Sequence, residues 1–403
     1  MPLDKNKRLF LTSIMDFDPF DGANTEDPYP TYRWLLEQAP VHYSQGRDFW
    51  AISRLADVKS ALMDHARYSS AAGVRIDDLL ALAGPSPLTM DPPRHGLLRN
   101  LVRKPFSVRA MSELTPMIEQ NVERLLADLL ATGSELEVVT GFAKLLPVAV
   151  ICELLGVPVD DAPTLKRWAD AMLETIPGQV GSTPAAIEGA ANLRSYWLAA
   201  LDAKRARPGE DILSTVATAV VDGEPLSHDE QVGMCNLVFE AGNATTGTLI
   251  ANAILALGTH PDQMRWLREH PEGMPGAIEE FLRWESPVQS LMRVTTEDVA
   301  LNGTSIPAGS RVLLLLGAAN RDPAVWEQPD ELRLDREILH NLAFGEGIHH
   351  CLGAPLARLE APIALRAFLA AIPSYEVGQA TRFHDVSMRT LKALTITPLA
   401  VKA

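Results

Sequence analysis

The chain has 403 residues, is 47% hydrophobic and 22% charged, and carries a formal net charge of −15. This composition suits a large folded core rather than a disordered chain, and the acidity excludes nucleic acid as a general partner, because phosphate binding runs on Lys and Arg. No apolar run of about 18 residues occurs, so no membrane-spanning helix is expected. The opening MPLDKNKRLFLTSIMDFDPF has basic residues but no apolar stretch of signal length, which points to a cytoplasmic protein. Cys152, Cys235 and Cys351 lie far apart. An odd, sparse set is neither a disulfide framework nor a C-x-x-C zinc pair.

In chain order, residues 49–64 read as a short strand leading into a helix. Residues 84–93 form a loop kept extended by Pro92 and Pro93. Helical patterns follow over RHGLLRNLVRKPF, 113–131 and 146–156. Cys152 and Cys235 fall inside apolar helical runs and read as buried structural thiols. The longest helical signal runs from Ser227 to Gly258. It opens on the capping box Ser227-His228-Asp229-Glu230 and is apolar on nearly every face, as a buried central helix would be. Gly242, Asn243, Thr245 and Thr246 are expected to interrupt it, since this cluster is poor helix material. Strand patterns cover Asp298–Leu301, Ser310–Leu316 and Leu391–Ile396, with a hairpin turn at Asn302-Gly303. No repeat or long linker divides the chain, which reads as one domain over 1–403, mainly α with a smaller β portion.

The chemistry concentrates in residues 344–353, Phe-Gly-Glu-Gly-Ile-His-His-Cys-Leu-Gly. Glycines at 345, 347 and 353 permit left-handed backbone and close approach to a flat ligand. A thiolate at Cys351 needs a metal or positive partner at neutral pH. The helix pattern over Ala354–Ala371 turns its positive end toward the sulfur. A structural cysteine in a glycine turn would not explain this ordered pattern.

The segment resembles the haem-binding signature of the cytochrome P450 family, and the likeness extends from Asp27-Pro28-Tyr29-Pro30 to the final strands. The resemblance implies a triangular, helix-rich fold with haem b between a central distal helix and the proximal cysteine-ligand helix. Cys351 would be the axial iron ligand, its thiolate pushing electron density onto iron to favour O–O cleavage. Phe344, Gly345 and Gly353 would face the cofactor. His95, Arg99, Arg293 and His349 match positions that bind the haem propionates, for which charged forked donors are suited. Glu280 and Arg283, alone an ordinary solvated ion pair, match a structural E-x-x-R, with Arg336 as third member and Arg333 as the alternative. Ala318–Pro323 matches the turn before the meander.

On the central helix the family motif A-G-x-acid-Thr-Thr corresponds to Ala241, Gly242, Asn243, Ala244, Thr245 and Thr246. Ala241 and Gly242 would leave room over the iron, and Thr245 would hydrogen-bond bound oxygen and help deliver protons. Ala244 stands at the acid position and cannot relay a proton. Three replacements are open: Glu240, one turn earlier, relaying through water; Asn243, orienting a water chain; or peroxide, which brings its own protons. Glu240 reads equally as a residue facing solvent or paired elsewhere.

By the same analogy, Val74, Ile76, Leu79, Leu80, Leu82, Val238, Ala241, Val288 and Leu291 would line a pocket for a small apolar or aromatic substrate. Arg75 is a possible carboxylate anchor but reads more simply as an exposed loop charge. Arg94, Arg99, Arg103, Lys104 and Arg109 cluster near one helix. Of these, Arg103, Lys104 and Arg109 suit the docking of an acidic ferredoxin. The expected activity is hydroxylation or oxidative dealkylation with O2 and electrons from NAD(P)H through ferredoxin reductase and ferredoxin. The competing readings are a peroxide-driven or non-oxygenating haem enzyme and a haem-binding sensor without turnover.

Overall fold

The computed structural model describes residues 17–78, 82–172 and 181–399. Its axis is the helix His228–Thr259, opened by Ser227, whose hydroxyl accepts from the Glu230 N–H while the Glu230 carboxylate accepts from the Ser227 N–H. Leu249, Ile250, Ala253, Ile254 and Leu257 are among its buried residues, so the helix runs through the main apolar core instead of lying on it. It packs against Leu145–Leu155 on one side and Ala354–Ala371 on the other.

The interruption expected at Gly242–Thr246 does not occur, and the helix is continuous. The Thr245 hydroxyl donates to the Ala241 carbonyl at 2.9 Å, and the Asn243 amide donates to the Phe239 carbonyl at 2.5 Å. Polar groups that compete with a helix here bond back to the preceding turn. A β-carbon at Gly242 would lie 2.6 Å from Ile151 Cδ1. The small residue there admits the neighbouring helix.

A five-stranded sheet stands beside the helices, in the order Val41–Ser44, Phe49–Ile52, Arg311–Leu315, Ser290–Thr295, Tyr68–Ser69. Leu313 pairs with Ala51 in parallel and with Met292 in antiparallel register. A second sheet joins Leu136–Glu137, Leu391–Pro398 and Tyr375–Arg382. Asn302-Gly303 turns the hairpin between Val299–Leu301 and Thr304–Ile306 with both residues in left-handed backbone, φ +52° and +79°. No helix among the described residues is long and apolar enough to cross a membrane.

Glu280 and Arg283, on the helix Met274–Trp284, are fully buried and bonded at 2.7 and 2.8 Å, unlike a solvated pair. Arg283 also donates to the carbonyls of Asn320, Pro329 and Glu331 at 2.8 to 3.1 Å. The Arg336 guanidinium lies 3.3 Å from Glu280 and donates to the Glu327 and Gln328 carbonyls. Arg333 meets Glu280 only through its backbone N–H, its side chain turning to Gln328 and Asp335. Residues 327–336, which lack regular structure, are therefore pinned by two guanidinium groups around one carboxylate. Asn320 extends the network, accepting from the Leu342 N–H at 2.8 Å just ahead of the cysteine loop.

Glu360, on the helix Ala354–Ala371, is completely buried, and neither carboxyl oxygen has a protein partner among the described residues. Burial holds this acid protonated well above the usual carboxylate range. A carboxyl raised on folding contributes stability that is full below its unfolded value and is lost as pH rises through the folded one. Glu360→Met should therefore raise the thermal midpoint of the holoprotein more at pH 8 than at pH 5. Equal shifts at both pH values would show that the group is not a buried acid.

Candidate active site

Cys351 sits in a loop closed by short hydrogen bonds. Its N–H donates to the Phe344 carbonyl at 2.8 Å, and the Gly345 N–H donates to Leu342 at 2.9 Å. Gly347 adopts φ +69°, and a β-carbon there would lie 2.7 Å from the Leu62 carbonyl. Glycine is required at that point on both counts. Burial pushes the Cys351 thiol up, whereas the N–H groups of Gly353 and Ala354 and the guanidinium groups of Arg99 and Arg358 pull it down. Arg358 also lies over the Phe344 ring at 4.4 Å and pairs with Glu279 at 2.6 Å. Burial raises the other two thiols, Cys152 to about 12 with the Asp161 charge adding to the effect, which leaves them inert packing groups.

Four basic groups from three separate segments meet near this loop. Arg99, on the helix Arg94–Leu101, donates to the His350 carbonyl. The His95 and His349 rings lie 4.5 Å apart, and His349 contacts the Ser70 hydroxyl at 3.2 Å. Arg293 is buried in the strand Ser290–Thr295, where its guanidinium donates to the Met292 carbonyl at 2.7 Å. Burial lowers it to about 10. Burial, with Arg293, His95 and Arg99 alongside, drives His349 down to about 3. The buried His95 Nε2 has no protein partner among the described residues. Asp91 lies close enough to be felt by Arg293, His95 and His349, yet its carboxylate is taken by Ser69 and the Ser70 N–H. A buried set of donors without an anion of its own suits a ligand that brings carboxylates.

The central helix is buried along most of its length, yet Ala241 is exposed and Gly242, Ala244 and Thr245 are part-open. A buried sulfur able to reach a metal, an anion-seeking cradle and a helix opened by small residues together fit an iron porphyrin bound through Cys351, with its propionates toward His95, Arg99, Arg293 and His349. The chain belongs to the cytochrome P450 family.

The family model described as Cytochrome P450 matches residues 274–381. Putative cytochrome P450 123 of Mycobacterium tuberculosis is 38% identical over 393 residues, 96% of this chain and 97% of its own. Vitamin D(3) 25-hydroxylase of Pseudonocardia autotrophica is 39% identical, covering 91% of each chain. The crystal structure of CYP109E1 from Bacillus megaterium in complex with testosterone superposes with TM-score 0.86 at 32% identity, over 94% of this chain and 99% of that one. The protein is thus a cytochrome P450 monooxygenase, of a family that holds haem through a cysteine thiolate and uses dioxygen and redox partners.

Other residues singled out in the sequence are dispersed. Val74 is buried beside a cleft of about 340 Å³ formed by residues 71–75, 78, 84, 85 and 89. Ile76 turns away into the apolar core with Phe17, Phe49 and Met292, so it serves packing. Leu79 and Leu80 lie outside the described residues. Leu82 packs partly buried against the main core, Val238 is buried in the central helix, and Val288 and Leu291 are half-buried beside the sheet cluster. Arg75 is no exposed loop charge. It is buried and bonded to Asp77 at 2.5 and 2.9 Å and to Asp385 at 3.0 Å. Asn243 is buried and committed to Phe239. Glu240 is half-buried, and its Oε1 is buried without a protein partner among the described residues; burial raises the acid to about 8.

Sequence reasoning missed Ser70, Asp91 and the Arg75–Asp77–Asp385 group. Asp385 lies 310 residues from Arg75, and no local pattern announces such a pairing.

Arg293→Met should speed haem loss to apomyoglobin about tenfold or more, the weight of one hydrogen bond to a charged group. A rate unchanged from wild type would remove Arg293 from the cradle. Cys351→Ala should abolish the thiolate-type Soret band of the reduced carbon monoxide complex. Persistence of that band would move the ligand elsewhere.

Proposed function

We propose that this P450 binds haem b and oxidises a small substrate with an apolar body, by hydroxylation or oxidative dealkylation. Electrons would come from NAD(P)H through a ferredoxin reductase and a ferredoxin, in the cytoplasm, with residues 1–403 acting as one domain. The single observation that carries the reading is the Cys351 loop lying against the four-donor cradle. Bound haem supplies the redox-active iron at which dioxygen is activated. The chain's own part is to keep the sulfur anionic, hold the propionates and manage water and protons on the distal side. Phe344, Gly345 and Gly353 shape the cysteine side of the haem, and Ala241 and Gly242 its distal side.

Thr245 is the proposed hydroxyl on the distal side. Its bond to the Ala241 carbonyl uses its proton and leaves its lone pairs as acceptors for water or a reacting group. The acid that should serve it is absent at Ala244, and Asn243 is already bonded. Glu240 is the remaining carboxyl of that stretch. On a regular helix it stands about 140° and 7.5 Å from Thr245, so any relay between them passes through water. Ala244 also supports a second reading, turnover driven by peroxide, which needs no relay. Glu240→Gln should lower product formed per NADH consumed while leaving peroxide-driven turnover in place. Unchanged coupling would exclude Glu240 from proton delivery.

For electron entry, Arg103, Lys104 and Arg109 are exposed just past the helix whose Arg99 touches His350, next to the ligand. Arg94 does not add to this patch, being held by Glu230 at 2.6 Å. Val74, Val238, Val288 and Leu291 support an apolar lining for the substrate. Reversing charge at Arg103 and Lys104 should slow reduction by an acidic ferredoxin and flatten its salt dependence. A wild-type rate insensitive to salt would rule out this docking face.

A further inference from the structure

Glu240 occupies the turn of the central helix beside Ala241, which is exposed although most of that helix is buried. Its buried Oε1 has no protein partner among the described residues. The charged groups that act on it are Arg75, from the loop lining the cleft, and Asp170, from the helix Ala162–Met172. Neither completes it. Asp170 is bonded to Lys166 at 2.5 Å, and the Arg75 guanidinium is divided between Asp77 and Asp385. Asp78 lies on the same cleft wall. Two aspartates therefore stand against the Arg75 guanidinium, and Glu240 adds a further acid within its reach.

This arrangement selects by charge. An anionic substrate would meet an arginine already neutralised and several carboxyls, so the carboxylate anchor that the sequence offered in Arg75 is closed. A wholly apolar substrate would bury Glu240 against hydrocarbon with its oxygen still unsatisfied, which costs free energy. A positive nitrogen beside Glu240 would supply both the missing partner and the missing charge.

We propose that the substrate of this P450 combines an apolar body with one cationic nitrogen, and that Glu240 is the specificity-determining residue that pairs with that nitrogen. The proposal rests on the distal space being the substrate pocket. It is separate from proton relay, because an anchor acts on affinity and a relay on coupling. Burial that favours the neutral acid would be reversed by a cation at contact, where attraction in a low-dielectric pocket far exceeds its value in water.

The test uses the haem-loaded enzyme at pH 8 and three probes with one phenylbutyl body. One ends in trimethylammonium, which has no lone pair to ligate iron; the second ends in a neutral tert-butyl group of the same shape; the third ends in a carboxylate. Dissociation constants are read by isothermal calorimetry, with the spin-state shift recorded alongside. The cation should bind about tenfold or more tighter than its neutral isostere, with the carboxylate weakest. Glu240→Gln should bring the ratio of cation to isostere close to one, and Glu240→Asp should keep part of it. Equal affinity for cation and isostere in the wild type, or a preference that survives Glu240→Gln, would overturn the proposal, and the wild-type comparison alone decides should a variant fail to load haem. Failure of both the cation and the isostere to bind would instead sink the pocket reading beneath the proposal, and the proposal with it.

Discussion

A cysteine sulfur that must stay ionised inside a protein needs positive charge or aligned N–H groups on the sides that water no longer serves. Around Cys351 they come from the first backbone amides of the following helix, from Arg99 and from Arg358. Each depends on a neighbour. Arg99 is fixed by the His350 carbonyl, Arg358 by Glu279, and the loop itself by the Phe344 and Leu342 carbonyls. The buried Glu280–Arg283 pair extends this support to the meander, so a polar centre far from the reacting atoms holds the shape of the ligand loop. Such a pair is a poor source of net stability once its desolvation is counted. Its value lies in the carbonyls it gathers.

The other half of the site shows how much charge is arranged for a partner that the polypeptide does not supply. His95, Arg99, Arg293 and His349 crowd together although each disfavours protonation of its neighbours. The cluster makes sense only around an added anion. The balance around Arg75 is the reverse: its guanidinium is taken up by Asp77 and Asp385, so this group offers no free positive charge.

Much of this was legible in the sequence, because the features concerned are local. Cys351 with its glycines, the Ser227–Glu230 capping box and the Asn302-Gly303 turn are each written in a few adjacent residues whose backbone requirements are narrow. The E-x-x-R pair was legible as a pair, but its burial was not, since spacing cannot tell a buried ion pair from a solvated one. The uninterrupted central helix escaped prediction because propensity does not register the back-bonding of Thr245 and Asn243 to the preceding turn. Gly242 was marked as unusual, but its close packing against Ile151, ninety-one positions earlier, lies beyond any local pattern. The strand Ser290–Thr295 was hidden because Ser290, Arg293 and Thr295 are polar yet buried, which blurs the alternation that marks a strand. The partners of Arg75 and the isolation of Glu240 are tertiary facts that no window of sequence contains.

Arg283 reaches three carbonyls that lie between 37 and 48 residues further along the chain. The segment it grips has no ladder or helix of its own to direct its path. Its course is therefore dictated from outside, by a guanidinium on the Met274–Trp284 helix, and whatever shifts that helix shifts the path of the stretch that leads into Cys351.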